Sequence, residues 1–307
     1  MNKRNLLSIT DLSPQEIQGV LNRAVELKGG VKSDALAGKS VALLFEKPSL
    51  RTKLSFDLAV HQLGGHPVYF APDEVGLDKR EPVADVARVL ERQVDCVIAR
   101  TFLHATLEEL AAHASVPIVN ALSDAEHPCQ ALADLLTVQE HTGRLQGVTI
   151  AFIGDGNNVA ASLALGTASL GAGFVIASPQ GYGLPAATLA RAQALSAEHG
   201  ATVEQVVNPQ EAAKNADVVY ADVWTSMGQE SEAQQRRQTF QGYQVTPELM
   251  ALANPGAIFM HDLPAHHGEE IAEGMLEHPQ SAVFAQAENR LHSSKGLLEL
   301  LLGRATA

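Results

Sequence analysis

Residues 148–158 read VTIAFIGDGNN. A short run rich in β-branched and aromatic residues ends at a Gly-Asp-Gly turn, and a helical pattern follows it. The unit sits in the middle of a 307-residue chain, and similar units lie on both sides of it. Upstream, the runs SVALLF (40–45), HPVYF (66–70), DCVIAR (95–100) and VPIVNA (116–121) alternate with helical patterns such as RTKLSFDLAVHQLG and VADVARVLERQV. Downstream, GFVIAS, ATVEQVV, DVVYADVW and AIFMHDL repeat the alternation. Strands separated by helices imply parallel sheets covered by helices. The segment HTGRLQG interrupts the series just before Val148. The expected fold is therefore α/β with two domains, each a parallel sheet flanked by helices, covering residues 1–143 and 144–289. The last helical pattern, about 290–307, is expected to pack back on the first domain, and the active site is expected in the interdomain cleft.

Composition narrows the class. With 46% hydrophobic and 19% charged residues the chain is globular, and its formal net charge of −13 argues against a nucleic-acid or anionic-membrane surface. No run of about 18 apolar residues occurs, so no membrane span is expected. The opening MNKRNLLSITDLSPQEI has neither the apolar core nor the cleavage site of a signal peptide. Two cysteines, Cys96 and Cys129, make no disulfide framework. A cytoplasmic protein is the expectation.

In open α/β sheets, ligands bind beyond the carboxyl ends of the strands. Six predicted strand ends deliver polar clusters: EKPSLRTK, Arg100-Thr101, HPCQ, GDGNN, DVWTSMG and HDLPAHH. In the first, Ser49, Arg51, Thr52 and Lys53 open a predicted helix behind Pro48. A helix N-terminus offers unpaired N–H groups and a positive dipole end, and Arg grips two phosphate oxygens at once. An ordinary Ser N-cap followed by solvated charges explains that piece about as well. Arg100, at the end of an apolar strand, is not explained as a solvated charge and favours an anion site. His127 and Gln130, one helical turn apart, suit a small carbonyl compound: imidazole donating to its oxygen, amide oxygen accepting from its nitrogen.

Two other readings compete. GDGNN starts like a dinucleotide-binding turn, but Val159 stands where the third Gly is needed, and GFVIASP ends without the acid that would hold a ribose. The cluster His261, Asp262, His266 and His267 resembles a zinc hydrolase site, which needs three convergent ligands.

The motifs SLRT, Arg100, HPCQ, DVWTSMG and HDLP, in this order and over nearly the whole chain, resemble the aspartate/ornithine carbamoyltransferase family. The arrangement Asp-x-x-x-Ser-Met-Gly is typical of its ornithine branch. The resemblance implies an enzyme that transfers a carbamoyl group from carbamoyl phosphate to ornithine, needing no cofactor and no metal, assembled as a homotrimer. It implies that Ser49, Leu50, Arg51 and Thr52 hold the phosphate, with Arg100 spanning phosphate and carbonyl oxygen. His127 would join Thr52 and Arg100 on that oxygen, Gln130 would take the carbamoyl amide, and Arg290, in AENR, would complete the carbamoyl phosphate site. Asn158, Asp222, Ser226 and Met227 would bind ornithine, and Asp262 and the Leu263 carbonyl would face the reacting amine, Leu263 touching both substrates. The resemblance thus names Asp262, Arg100 and His127 as catalytic and Trp224 as packing. A non-catalytic phosphate-binding module would need one ligand motif, whereas two are present. Putrescine, aspartate or N-acylated ornithine are alternative acceptors, and Ser226-Met227-Gly228 favours free ornithine.

The chain departs from the family pattern at four places. Asp262 stands where the ornithine enzymes usually carry Cys, and His267 where they often carry Arg. Gly76 replaces a Gln expected to reach a neighbouring subunit's phosphate site, a role for which Lys79 is a substitute. Lys53 replaces an Arg. An unperturbed Asp titrates near ~3.9 and a thiol near ~8.5, so Asp262 is expected to be an anion that binds ornithinium tightly and raises the pKa of the amine that must attack. An alkaline rate optimum follows.

Overall fold

The computed structural model describes residues 3–77, 80–226 and 228–303, apart from the side chain of residue 75. Lys79 and Met227, both singled out by sequence, lie outside the described residues. By compactness the chain divides into two units, Met1–Ala133 with Glu288–Ala307, and Asp134–Ala287. The divisions fall inside two continuous helices, Pro128–Thr142 and Val283–Leu302.

The first unit is built on β1 (Ser40–Phe45), β2 (His66–Phe70), β3 (Cys96–Arg100) and β4 (Ile118–Leu122), all parallel, in the order β2-β1-β3-β4. β1 and β3 are buried along nearly their whole length, as expected for strands covered on both faces. The apolar residues Leu44, Val97, Ala99, Leu107, Leu110 and Ile118 share one core cluster. Because the chain leaves β1 to form β2 on one side and returns to form β3 on the other, the strand order reverses between β1 and β3. Phe45 and Arg100 are register partners at the carboxyl ends of those two strands, so both strand ends open at the switch point, where α/β sheets bind ligands.

The second unit repeats the plan with β5 (Thr149–Ile153), β6 (Gly173–Ala177), β7 (Val203–Val206), β8 (Val218–Ala221) and β9 (Ile258–His261). These strands are parallel, in the order β7-β6-β5-β8-β9. Its switch point lies between β5 and β8. Ala221 pairs with His261, which brings Asp222 and Asp262, the next residue of each strand end, to neighbouring positions. The helix after β5, Asn158–Ser169, is buried from Val159 to Ser169; its Ala, Ser and Gly content lets a helix lie on the sheet with no polar face. Trp224 stacks on Phe240 within the core of this unit, as packing predicts. Among the described residues, the nine strands and the two-sheet α/β architecture match the sequence reading.

Candidate active site

In the first unit, Ser49 caps the helix Leu50–Gln62, its hydroxyl accepting from the Thr52 N–H at 3.3 Å. The N-cap and anion-site readings of SLRT are therefore compatible, because the remaining first-turn N–H groups have no intrahelical partner to donate to. Thr52 is buried, and its hydroxyl accepts from Arg290 Nη2 at 2.6 Å. The same guanidinium donates through Nη1 to Gln130 Oε1, also at 2.6 Å. Arg290, which by sequence alone reads as an exposed helical Arg, is thus the buried fork that ties two of the predicted substrate residues together. Gln130 is itself buried, so its amide is held in place by the fork.

His127 is buried where the helix Pro128–Thr142 begins. Burial, together with the nearby Arg290 and Arg100 guanidinium groups, holds its pKa well below the usual imidazole value. A neutral imidazole beside two cations keeps an N–H to donate without adding a third positive charge. Arg100 is buried at the end of β3, where its backbone oxygen accepts from the Glu46 N–H at 2.8 Å. Leu50 is 77% exposed, so any phosphate contact it makes is through its backbone.

The second unit gathers carboxylates at its switch point. Asp222 is buried, with Oδ1 accepting from its neighbour's N–H (Val223, 2.7 Å) and Oδ2 from Asn157 Nδ2 (2.6 Å). Asn157 also caps the helix Asn158–Ser169, its Oδ1 accepting from the Val159 and Ala160 N–H groups. Asn158, named by the resemblance for ornithine, is the first helical residue, and the residue bonded to Asp222 is its neighbour Asn157. Asp155, in the same turn, is paired with Arg236 at 2.9 Å. Burial pushes the Asp155 carboxyl up to about 6, against the pull of Arg236. Arg236 also donates to the Trp224 carbonyl at 3.1 Å and so fastens the DVWTSMG loop to the GDGNN turn. Ser226 turns its N–H to Gln229 Oε1 at 3.1 Å, within its own loop.

Gly156 explains the Gly-rich turn without a dinucleotide. A Cβ there would lie 2.2 Å from the Gly183 carbonyl carbon, so the glycine serves the close approach of two loops.

The HDLP turn is held by its own histidine. His261 Nδ1 accepts from the Leu263 N–H at 2.9 Å, and Nε2 faces Glu270 Oε1 at 3.2 Å. The His261 N–H donates to Gln286 Oε1 at 2.8 Å. Leu263 has φ +60° and is followed by a cis bond to Pro264. Burial works to raise the Glu270 pKa, yet hydrogen bonds from His261 and the His266 N–H hold it below the usual carboxylate value. Glu270 and Gln286 gave no sequence signal, since each finds its partner only when the strand end is folded. The four residues of the zinc reading do not converge as one ligand set. Among the described residues, His261 and Asp262 cluster with Asp222, His266 clusters with Glu269 and Glu270, and His267 joins neither group. Both ring nitrogens of His261 are already engaged.

The first unit carries a cluster rich in N–H and guanidinium donors, suited to an anion, and the second carries neighbouring carboxylates, suited to an amine. Residues 4–140 match the family model described as the carbamoyl-P binding domain of aspartate/ornithine carbamoyltransferase, and residues 146–301 match its Asp/Orn binding domain. The chain belongs to the aspartate/ornithine carbamoyltransferase family. It is 52% identical over 306 residues to the ornithine carbamoyltransferase of Acidothermus cellulolyticus, covering 98% of this chain and 97% of that protein. The enzyme of the same name from Symbiobacterium thermophilum is 48% identical, with 97% and 98% covered. The solved structure of the ornithine carbamoyltransferase from Pyrococcus furiosus superposes with a TM-score of 0.95 at 44% identity, covering 99% of this chain and 98% of that one.

Proposed function

We propose that the protein transfers the carbamoyl group of carbamoyl phosphate to the side-chain amine of L-ornithine, giving L-citrulline and phosphate. The observation that carries the reading is the Arg290 fork on Thr52 and Gln130, which fixes a hydroxyl and an amide beside a neutral, buried His127. In this reading residues 1–143 bind carbamoyl phosphate: Ser49, Leu50, Arg51 and Thr52 take the phosphate, while Arg100 and His127 donate to the carbonyl oxygen. Residues 144–289 bind ornithine through Asn158, Asp222, Ser226, Met227 and Asp262, and Asn157 orients Asp222. The deprotonated amine attacks the carbamoyl carbon, and negative charge grows on the oxygen. Donors aimed there lower the barrier. The bond to the phosphate oxygen then breaks, and phosphate departs with the pair of electrons and takes up the proton that the attacking nitrogen releases. Asp222 and Asp262 hold the ammonium form and face the proton that it must lose, while the Leu263 carbonyl accepts from the remaining N–H. Because phosphate is a good leaving group, the balance requires neither a covalent intermediate nor a metal.

Carbamoyl phosphate binds first, at a site held by the buried fork, and the Ser226–Gly228 loop then closes over ornithine. A role in arginine biosynthesis, in the cytoplasm, belongs to the same reading; among the described residues, no helix is long and apolar enough to cross a membrane. A homotrimer is also part of it, and the exposed Leu50, Leu54, Phe102 and Leu103 suit burial against a second copy. The test is a citrulline colour assay with carbamoyl phosphate against ornithine, N-acetylornithine, putrescine and aspartate. Turnover with ornithine alone is expected; turnover confined to another amine overturns the acceptor assignment.

A further inference from the structure

Three polar handles of His261 are engaged by three different elements: its N–H by Gln286, Nδ1 by the Leu263 N–H, and Nε2 by Glu270. A neutral imidazole accepts at only one nitrogen, so the Leu263 bond to Nδ1 requires the proton to sit on Nε2. The acceptor facing Nε2 is Glu270 Oε1, which also takes the His266 N–H at 2.5 Å. Glu270 is fully buried, and a carboxylate is kept in such a place only where donors meet it.

The turn held in this way is not relaxed. Leu263 is one of two described non-glycine residues with positive φ, a conformation that L side chains adopt at some cost. Its N–H bond to His261 is what pins it, and the orientation of the Leu263 carbonyl follows from the same backbone angles.

We infer that Glu270 is a positioning residue for carbamoyl transfer: it fixes the Nε2–H form of His261, and thereby the strained Leu263 backbone that faces the reacting amine. Glu270 touches no substrate in this scheme. Its influence passes through one hydrogen-bonded ring to one peptide, and what it supplies there is an acceptor oxygen. The inference rests on the functional reading given above for the Leu263 carbonyl.

Glu270→Gln keeps an acceptor oxygen for Nε2–H and the His266 N–H, whereas Glu270→Ala removes it. The test measures kcat/KM for ornithine, inhibition by inorganic phosphate, and amide exchange across 259–265 in the full chain, with melting temperature as the control for folding. In Glu270→Ala, kcat/KM for ornithine is expected to fall at least tenfold. Exchange at the Leu263 amide should rise, and the phosphate inhibition constant, which reads the first unit, should stay within twofold. Glu270→Gln should recover kcat/KM to within about threefold and restore the protection of Leu263. A folded Glu270→Ala with unchanged exchange at Leu263 overturns the inference. So does a Glu270→Gln variant as impaired as Glu270→Ala, because charge and not acceptor geometry would then be at work. If the wild-type protein makes no citrulline, the functional reading fails, and the exchange measurement still decides whether Glu270 governs the Leu263 turn.

Discussion

Arg290 and Thr52, 238 positions apart in the chain, meet in a buried hydrogen bond of 2.6 Å from guanidinium to hydroxyl. The other arm of the guanidinium holds Gln130 at the same distance. Lys has one compact ammonium where Arg has a planar fork, so it cannot satisfy both partners in this geometry. Arg290→Lys is expected to raise KM for carbamoyl phosphate about tenfold, the loss of one charge-assisted hydrogen bond. Steady-state kinetics at saturating ornithine give the answer, and an unchanged KM would make the fork merely structural.

Asn157 has two duties that substitution can separate. Ser caps a helix about as well as Asn, while Ala costs about 1 kcal/mol. Neither reaches Asp222 as the Asn157 amide does. Asn157→Ser should therefore melt close to wild type and Asn157→Ala about 2–4 °C lower. Both should bind ornithine about tenfold more weakly, since Asp222 loses its orienting donor. Thermal melts and ornithine KM values, compared across the two variants, resolve the duties.

Asp262→Cys tests one of the four departures from the family pattern read in the sequence. Carboxylates beside an amine favour its protonated form, and only the neutral amine attacks. Replacing one carboxylate by a thiol that is neutral below about pH 8 should move the rising limb of the kcat profile toward lower pH and weaken ornithinium binding. A profile that does not shift between pH 6 and 10 would mean that Asp262 lies outside the electrostatic reach of the amine.

Asp155 is expected to leave a signature in stability. Its carboxyl is raised to about 6 in the folded protein from 3.8, so between those values the native state holds more of its proton than the unfolded chain does. Stability rises with pH only where the unfolded state binds more protons; here the sign is reversed. The contribution is fully present below about pH 4 and is lost as pH rises through about 6. Asp155→Asn, which cannot titrate but keeps an acceptor oxygen for Arg236, should show no such pH dependence. Relative to the variant, wild type should lose about 2–3 kcal/mol of stability from pH 4 to pH 6.5. Denaturant titrations at several pH values measure it.

Much of this was legible in the residues. The described strands coincide with the runs read from the sequence, and those covered on both faces, such as β1 and β3, are almost continuously apolar. The pairings inside the sites were less visible. Asp155 and Arg236 are 81 positions apart, and Arg236 sits in AQQRRQT, which reads as a solvated helix. Glu270 belongs to GEE, an ordinary acidic pair until His261 is placed against it. Asn157 carried no signal of its own, because only the folded cap shows that its amide turns to Asp222. A resemblance transfers the groups that meet substrate; the residues that hold those groups depend on this chain's own packing.

The first compact unit takes its final piece, Glu288–Ala307, from the end of the chain. Protein synthesis runs from the N-terminus, so every residue of the second unit has been made before that piece exists. On the ribosome the sheet β2-β1-β3-β4 can form early, but Thr52 and Gln130 must wait for Arg290. A nascent chain therefore lacks the Arg290 fork until the whole of the second unit has been made, and the two compact units are interleaved in the order of synthesis.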